Sequence, residues 1–249
     1  MNNSIVIIPT YNEKENISLI IEAVFRLPKD FHVMIVDDNS PDGTADIVKD
    51  LQRNYNTSET RLYLLQREGK QGLGTAYIAG FRYALDNGYD FVLEMDADFS
   101  HDPKDLVHLY LECFEGGTDL SIGSRYATGV NVVNWPIGRV LLSYFASSYV
   151  RLITGIPIRD TTAGFVCYRR IVLETIPLDR IKFVGYAFQI EMKFITWKYG
   201  FRIKEVPIIF TERVRGLSKL SPGIFKEAFF GVIQMTVQSW FKKYSPQAR

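Results

Sequence analysis

The chain has 249 residues, of which 47% are hydrophobic and 23% charged; this composition excludes a disordered or collagen-like chain. Its 29 Lys and Arg residues nearly balance 28 Asp and Glu residues, so the net charge of +1 excludes a general attraction for nucleic acid. Cys113 and Cys167 are far apart and lack metal-ligand spacing, which favours two buried, reduced thiols.

The first half of the chain alternates between short apolar, often β-branched runs and stretches with helical periodicity. Strands are predicted at residues 5–8, 33–36, 62–65, 91–93 and 120–122, and helices at residues 16–25, 44–54, 75–87 and 103–114. This alternation predicts βαβ units and hence a parallel sheet covered on both faces. Thr44 is expected to cap the second helix and Pro103 to lie in the first turn of the fourth, which His101 is expected to cap.

In the second half of the chain, strands and helices no longer alternate regularly. Helices are predicted at residues 136–154, 188–198 and 222–244, and strands at residues 163–168 and 203–210. Since no linker sets this half apart, the sequence predicts one domain over residues 1–249. We expect no signal peptide, because the N-terminus lacks a charged region followed by an apolar one and a small-residue cleavage site. We also expect no integral membrane protein, because no apolar run approaches the roughly 20 residues that span a bilayer.

Polar residues follow every predicted strand of the first half. Ligands of an open parallel sheet bind where the carboxyl ends of its strands converge, so these residues are candidates for a binding site. They are residues 9–13 (Pro-Thr-Tyr-Asn-Glu), 37–43 (Asp-Asp-Asn-Ser-Pro-Asp-Gly), 67–74 (Arg-Glu-Gly-Lys-Gln-Gly-Leu-Gly), 96–98 (Asp-Ala-Asp) and 123–125 (Gly-Ser-Arg).

The first of these turns excludes a dinucleotide-dependent oxidoreductase, because it lacks Gly-x-Gly-x-x-Gly; a P-loop is also absent. The phosphates of a bound nucleotide would therefore need another counter-charge. Asp96 and Asp98, at the end of a buried strand, can converge on a divalent cation that bridges a diphosphate. Asp38 could hold a ribose hydroxyl or a base edge, whereas Asp37 could equally stabilise the turn before Thr44.

These strand ends resemble the family 2 inverting glycosyltransferases and, within that family, the dolichol-phosphate or polyprenol-phosphate mannose synthases. The resemblance continues in residues 99–101 (Phe-Ser-His), 134–136 (Asn-Trp-Pro), 162–165 (Thr-Ala-Gly-Phe), 205–208 (Glu-Val-Pro-Ile) and 213–219 (Arg-Val-Arg-Gly-Leu-Ser-Lys). It spans nearly the whole chain. The Pro-Asp-Gly-Thr, Asn-Trp-Pro and Gly-x-Ser-Lys elements are its more specific parts.

The resemblance implies an α/β fold of the GT-A (Rossmann-like) type, with a mostly parallel sheet, helices on both faces and a C-terminal amphipathic helix. It implies a nucleotide-sugar-binding half in residues 1–125 and an acceptor half with interfacial helices in residues 126–249. Many relatives carry C-terminal membrane spans, whereas this chain has one amphipathic helix there, as in the soluble catalytic-subunit type.

The resemblance also implies a role for each matching residue. The nucleoside would be lined by Pro9, Tyr11, Glu13, Val36 and Asp38. Mg²⁺ or Mn²⁺ and the diphosphate would be held by Asp96 and Asp98, with Ala97 beside the sugar and Ser100 at a metal-ligand position, where a water could intervene. The acceptor phosphate would face Arg125 and Arg139, which with the two aspartates form the catalytic set, and a late loop would clamp the diphosphate through Arg213 and Lys219.

The implied reaction moves mannose from GDP-mannose to a polyprenyl phosphate and gives a β-linked product. One alternative is transfer of glucose or another sugar from a UDP-sugar to the same lipid; another is a non-catalytic homologue that binds nucleotide or lipid. A lipid phosphate is already an anion, so the acceptor needs no general base, and none of His32, His101 and His108 falls where a base would be required.

The helices predicted at residues 136–154 and 222–244 are rich in apolar side chains. They could be ordinary core helices. The last one, however, carries more large apolar residues than one buried face requires, namely Phe225, Phe229, Phe230, Ile233, Trp240 and Phe241, followed by Lys242 and Lys243. This pattern favours a helix in a membrane surface, which would place the protein peripherally on the cytoplasmic face of a membrane, with or without a membrane-anchoring subunit.

Overall fold

Residues 3–185, 187–213 and 223–245 are described by a computed structural model. The strands are β1 (Ser4–Thr10), β2 (His32–Asp37), β3 (Leu62–Gln66), β4 (Phe91–Glu94), β5 (Leu120–Ser124), β6 (Val132–Val133), β7 (Val166–Arg169), β8 (Ile203–Pro207) and β9 (Phe210–Thr211). The helices are α1 (Ile17–Phe25), α2 (Thr44–Tyr55), α3 (Leu73–Asp86), α4 (Asp105–Phe114), α5 (Ile137–Thr154), α6 (Arg170–Thr175), α7 (Ala187–Lys198) and α8 (Gly223–Trp240).

A mostly parallel sheet with strand order β3-β2-β1-β4-β7-β5-β8 forms the centre of the molecule, as predicted. β1 pairs in parallel with β2 and β4, so the ends of these strands meet at one edge of the sheet. β7 runs antiparallel between β4 and β5, with Phe91 opposite Arg169 and Leu120 opposite Tyr168. Its antiparallel direction was not predicted, since an apolar run shows that a strand is buried but not which way it points.

Successive residues of β1 supply two hydrophobic cores, one on each face of the sheet. Ile5 and Ile7 are completely buried with Tyr77 of α3, and Val6 and Ile8 are completely buried with residues of α1 and α4. Side chains alternate between faces along a strand, so a run that is apolar at every position requires cover on both sides. The two layers of helices follow from that pattern.

Neither Thr44 nor His101 caps its helix as predicted. α2 begins at Thr44, and the Asp42 carboxylate accepts hydrogen bonds from the Thr44 backbone N–H (3.0 Å) and hydroxyl (2.6 Å). Thr44 instead accepts a hydrogen bond from the Glu13 backbone N–H at 3.0 Å. Before α4, which begins at Asp105 rather than Pro103, the Lys104 backbone N–H donates to the Asp102 carboxylate at 3.0 Å.

Two predicted strands have different bounds in the structure. The strand expected at residues 163–168 is β7, which begins only at Val166, and the strand expected at 203–210 ends at Pro207 and is followed by the short β9. β9 pairs in parallel with β6 in a separate two-stranded sheet. The predicted thiols are free and buried, and the Cys113 thiol lies 3.4 Å from the Cys167 carbonyl oxygen.

The helices α5 and α8 pack against each other and leave large apolar side chains exposed. The rings of Tyr149 and Phe229 stack at 4.7 Å, and the Tyr149 hydroxyl donates to the Phe229 carbonyl at 2.9 Å. The exposed residues on these two helices and just beyond include Ile137, Phe145, Leu152, Phe230, Trp240 and Phe241. In the described part of the chain, no helix is both long and apolar enough to cross a membrane. The side chain of Phe225 lies outside what the structure describes.

Candidate functional site

Tight turns follow β1, β2 and β4 at the edge where these strands end. Each turn contains a residue with positive φ, at Asn12 (56°), Asn39 (56°) and Phe99 (61°). Asn tolerates this left-handed conformation, but a bulky residue such as Phe adopts it only under strain. The turn around Phe99 is therefore held in place by its surroundings, and it belongs to the Asp96-Ala97-Asp98 segment.

The adjacent carboxylates after β2 have separate tasks. Asp37 is completely buried and accepts hydrogen bonds from the Thr10 hydroxyl (2.8 Å) and from the Ser40 backbone N–H (2.9 Å) and hydroxyl (2.6 Å). Of the two alternatives for Asp37, the structure therefore supports the stabilisation of the turn. Asp38 accepts a hydrogen bond from Arg67 Nε at 2.6 Å, a partner that the sequence did not reveal.

The other residues predicted to line a nucleoside differ in their burial and in their contacts. Tyr11 is half-buried, with the Lys70 ammonium 5.0 Å from its ring centroid. Glu13 is buried and accepts a hydrogen bond from the Asn16 amide at 3.0 Å. Pro9 lies opposite Val36 in the ladder, and the Val36 side chain is completely buried in the core, so it offers no surface to a nucleoside in this conformation.

The carboxylates after β4 lie where the sequence predicts them. Asp96 is half-buried, and Asp98 is buried with one oxygen accepting a hydrogen bond from the Ser100 backbone N–H at 3.0 Å. The second Asp98 oxygen lies 2.9 Å from a guanidinium nitrogen of Arg213. Ala97 and Ser100 are buried beside them.

This donor set fits a divalent cation shared with a ligand. Mg²⁺ and Mn²⁺ prefer oxygen ligands, and Mg²⁺ at phosphate sites is held by one or two carboxylates together with phosphate oxygens. Asp96 and Asp98 supply such carboxylates. No cluster of three or more His, Cys, Asp or Glu side chains suited to a metal occurs within the described ranges, so a metal at this turn would depend on ligand oxygens.

The predicted acceptor residue Arg125 forms a buried ion pair with Asp160. The Asp160 carboxylate accepts from Arg125 Nε (2.7 Å), from a terminal guanidinium nitrogen (2.6 Å) and from the Arg125 backbone N–H (2.9 Å). Burial alone would raise the pKa of Asp160, but the charge and hydrogen bonds of Arg125 hold it below its ordinary value. Arg125 thus lies at the end of β5 in one fixed orientation.

The second predicted acceptor residue, Arg139, is more accessible. It forms an ion pair with Glu212, and about a third of each side chain is exposed, 31% and 28% respectively. Its guanidinium carbon lies 4.2 Å from the ring centroid of Trp135. Because the Glu212 pair is partly solvated, Arg139 can exchange this partner more readily than Arg125 can leave Asp160.

Residues 210–213 connect the carboxylate turn to the two arginines. The Phe210 ring meets both His101 (5.1 Å) and Trp135 (5.0 Å), and the Thr211 backbone N–H donates to the Ser100 carbonyl at 3.1 Å. Glu212 then pairs with Arg139, and the next residue, Arg213, pairs with Asp98. The structure therefore brings Asp98, Ser100, Arg125, Arg139 and Arg213 into one connected site; Lys219 lies outside the described residues.

His101 is buried within this site and does not cap α4. Its ring stacks on Phe165 at 4.6 Å. Burial lowers the pKa of His101 to about 4, although the Asp98 charge opposes that shift. His101 is therefore a neutral ring at physiological pH.

A buried polar cluster below Asp96 was not predicted from the sequence. Gln189 donates a 2.5 Å hydrogen bond to Glu94, and the Lys193 ammonium donates to the Ala163 carbonyl at 2.5 Å and to the Gln189 side chain at 3.2 Å. Burial raises the pKa of Glu94 to about 8 and lowers that of Lys193 to about 8. Gln189 and Lys193 belong to α7, whose sequence does not indicate which of its polar residues face inward.

Comparison with known proteins agrees with this architecture. The model of the family described as Glycosyl transferase family 2 matches residues 5–176 of this chain. The chain is 44% identical over 235 residues to a polyprenol monophosphomannose synthase from Mycolicibacterium smegmatis, covering 94% of this chain and 87% of that protein. It is 45% identical over 228 residues to an undecaprenyl-phosphate mannosyltransferase from Micrococcus luteus, covering 92% and 91%.

Solved structures at lower identity share the fold. Glucosyl-3-phosphoglycerate synthase from Mycobacterium tuberculosis, crystallised with Mn²⁺ and UDP-glucose, superposes with a TM-score of 0.66 at 18% identity over 96% of this chain and 79% of that one. Residues 1–349 of TarS from S. aureus superpose with a TM-score of 0.62 at 18% identity, covering 99% and 67%. These matches confirm the predicted GT-A fold. With the family match over most of its length, the chain belongs to glycosyl transferase family 2.

Proposed function

We propose that this protein transfers mannose from GDP-mannose to a polyprenyl phosphate and releases GDP. The observation that carries the proposal is the connection of the Asp98 turn to Arg139 through the adjacent residues Glu212 and Arg213. A group that binds a diphosphate-bridging cation and a group that binds a phosphate monoester would then lie on either side of one sugar. The two mannosyl-transferring relatives support this choice of sugar and acceptor.

In this proposal each half of the chain binds mainly one substrate. Residues 1–125 hold the nucleotide sugar, with Tyr11 and Asp38 at the nucleoside, and residues 126–249 hold the lipid acceptor, while Arg125 and Arg213 act across this division. Asp96 and Asp98, with Ser100 nearby, would hold Mg²⁺ or Mn²⁺, which when bound offsets the charge of the diphosphate. Arg213 would leave Asp98 for the diphosphate, where Lys219 would assist it.

The reaction is a single displacement at the anomeric carbon of mannose. An acceptor phosphate oxygen forms the new bond to this carbon, and the bond to the β-phosphate oxygen of GDP breaks with its electron pair leaving on GDP. Attack from the opposite face converts an α-linked donor to a β-linked product. A phosphate monoester is largely dianionic at neutral pH, so no side chain need remove a proton, and the neutral His101 is not needed as a base.

Arg125 and Arg139 would orient the acceptor phosphate. Asp160 fixes the orientation of Arg125 at the end of β5, beside the Trp135 ring. Arg139 would exchange Glu212 for the phosphate, since its ion pair is the more solvated of the two.

The exposed apolar faces of α5 and α8 would lie in the cytoplasmic surface of a membrane that supplies the lipid. Trp240 is 72% and Phe241 85% exposed, and Lys242 and Lys243 follow them, a combination suited to an anionic bilayer surface. A separate membrane-anchoring subunit is compatible with this arrangement. Sedimentation with anionic vesicles should weaken in a Trp240→Ser/Phe241→Ser variant but not in Phe114→Ser, which removes an exposed aromatic residue from α4.

The test of the reaction is transfer of labelled mannose from GDP-mannose to farnesyl phosphate, with UDP-glucose as the competing donor. We expect a mannosylated lipid with Mg²⁺ or Mn²⁺ and none with EDTA. Asp98→Asn should lower turnover by at least about a hundredfold, whereas Asp102→Asn, in an exposed position of the same loop, should not. Transfer only from UDP-glucose would refute the donor assignment, and full activity of Asp98→Asn would refute the metal site.

The acceptor role of Arg139 has its own test. Arg139→Ala should raise the KM for farnesyl phosphate more than the KM for GDP-mannose. Arg151→Ala, an exposed arginine in the last turn of the same helix, is the matched control. An equal rise of both KM values in Arg139→Ala would reject the assignment.

A further inference from the structure

Among the residues that the structure describes, the indole N–H of Trp135 is a buried donor that has no hydrogen-bond partner. Trp135 lies in the short link between β6 and α5, within the Asn-Trp-Pro element, where Asn134 has a positive φ of 63° and Pro136 caps the helix. A buried N–H without a partner costs free energy, so native proteins rarely retain one unless a ligand, ion or water completes it. Trp135 therefore marks a place where a polar group is expected.

Another buried polar atom without a partner among the described residues lies beside the same aromatic group. It is His101 Nδ1, and the His101 ring meets the same Phe210 ring as Trp135 does. The Arg125 guanidinium carbon itself lies 5.6 Å from the Trp135 ring centroid. The unpartnered indole N–H of Trp135, in a residue that contacts both Arg125 and Arg139, favours a ligand with acceptor oxygens and negative charge.

The stacking of Arg139 on Trp135 is suited to an exchange of partners. The indole ring contacts the guanidinium group at 4.2 Å, and Glu212 binds a terminal nitrogen. A stacked guanidinium keeps its face on the ring while its N–H groups remain available at the edge. Arg139 can therefore turn its N–H groups from the Glu212 carboxylate to a phosphate without losing the contact that fixes its position.

We propose that Trp135 is an additional acceptor-binding residue, whose ring positions Arg139 and whose indole N–H donates a hydrogen bond to the acceptor phosphate. This inference rests on the proposed function, because it takes the lipid phosphate as the ligand beside Arg125 and Arg139. It assigns to the Asn-Trp-Pro element a task in substrate binding in addition to starting α5.

Kinetics with farnesyl phosphate and GDP-mannose separate this role from a structural one. Trp135→Phe keeps an aromatic face for Arg139 but removes the N–H, and should raise the KM for farnesyl phosphate about tenfold while leaving the KM for GDP-mannose within about twofold. Trp135→Leu removes the aromatic face as well and should raise the acceptor KM by about a further threefold or more. Trp197→Phe, the same change in α7, should alter neither KM.

The inference is overturned if Trp135→Phe leaves the acceptor KM unchanged or raises both KM values equally, while the wild type remains active. A wild-type protein that transfers no sugar to farnesyl phosphate would overturn the proposed function, and this inference with it. The two failures are therefore distinguishable.

A second measurement does not require Trp135 to be replaced. In a Trp197→Phe/Trp240→Phe variant, Trp135 is the remaining tryptophan of the three in the sequence. Its fluorescence should change with farnesyl phosphate at concentrations where uncharged farnesol has no effect. An equal response to farnesol, or no response to either, would contradict a hydrogen bond to the phosphate.

Discussion

Replacing Asp160 with Asn should destabilise the fold strongly, because it removes the charge that compensates a buried guanidinium. Asp160 is completely buried and Arg125 is only 8% exposed, and three hydrogen bonds of 2.6–2.9 Å join them. Breaking a buried ion pair on one side costs about 3–5 kcal/mol of unfolding free energy. For a chain of this size, such a loss lowers the Tm by roughly 6–20 °C.

Urea unfolding followed by circular dichroism measures this loss. The control is Asp50→Asn, the same change in an exposed pair with Arg53 on α2, which should cost less than about 0.5 kcal/mol. The Asp160 pKa is lowered in the folded protein, so its contribution is present above the unfolded value of about 3.9 and is lost as the pH falls through the folded value. The deficit of Asp160→Asn should accordingly shrink below about pH 4.

A cost below about 1 kcal/mol for Asp160→Asn would refute this reasoning, since it would mean that Arg125 is solvated or finds another partner. An Arg125→Met/Asp160→Leu double variant gives an independent check of the same argument. Replacing both charges with apolar groups leaves none uncompensated, so this variant should be more stable than Asp160→Asn. A double variant that is less stable would contradict the assigned cause.

Three further predictions concern residues around the site and in the core. His101 has a folded pKa of about 4, so in EDTA the wild type should lose about 3 kcal/mol of stability as the pH falls from above 6.5 to 4. The variant His101→Phe has no titrating ring and should not show this loss. Equal acid sensitivity of the two proteins would be inconsistent with a buried neutral ring. Lys193→Met should cost about 3 kcal/mol in urea unfolding at pH 7, because it leaves buried acceptors without their donor; a cost under 1 kcal/mol would show that water replaces the ammonium group. Gly80→Ala should lower the free energy of unfolding by about 1–3 kcal/mol, since the new Cβ would lie 2.7 Å from Ile7. Gly138→Ala, with open space around the new Cβ, should be neutral or stabilising. Equal Tm values for the two variants would argue against close packing of α3 on β1.

The sequence predicts the first half of the fold well because burial on both faces leaves a plain signal in its strands. Runs such as residues 5–8 and 33–36 are apolar at every position, and the polar turns after them lie at one sheet edge in the structure. The direction of β7 does not follow from its sequence, since an antiparallel strand that is covered on both faces has the same apolar pattern as a parallel one.

The candidate site is predictable in its strand-end residues but not in their partners. Asp96 and Asp98 are recognisable by their spacing after a strand. By contrast, Asp160 lies 35 positions from Arg125, and Glu212 lies 73 positions from Arg139, so nothing local indicates either pair. The buried Lys193 is likewise hidden, because a lysine in a helix is usually a surface residue.

The segment of residues 210–213 matters for attempts to change the sugar-nucleotide specificity, because it contacts both sides of the candidate site. Its two charged residues, Glu212 and Arg213, are neighbours in the chain; Arg213 pairs with Asp98 and Glu212 pairs with Arg139. In the proposed function these two contacts lie on the diphosphate side and the lipid side of the site. A backbone shift at either residue moves the other, because a peptide bond fixes the distance between their Cα atoms. Under the proposed function, we therefore expect loop grafts or directed evolution that exchange this segment to alter the sugar nucleotide to change the lipid specificity as well.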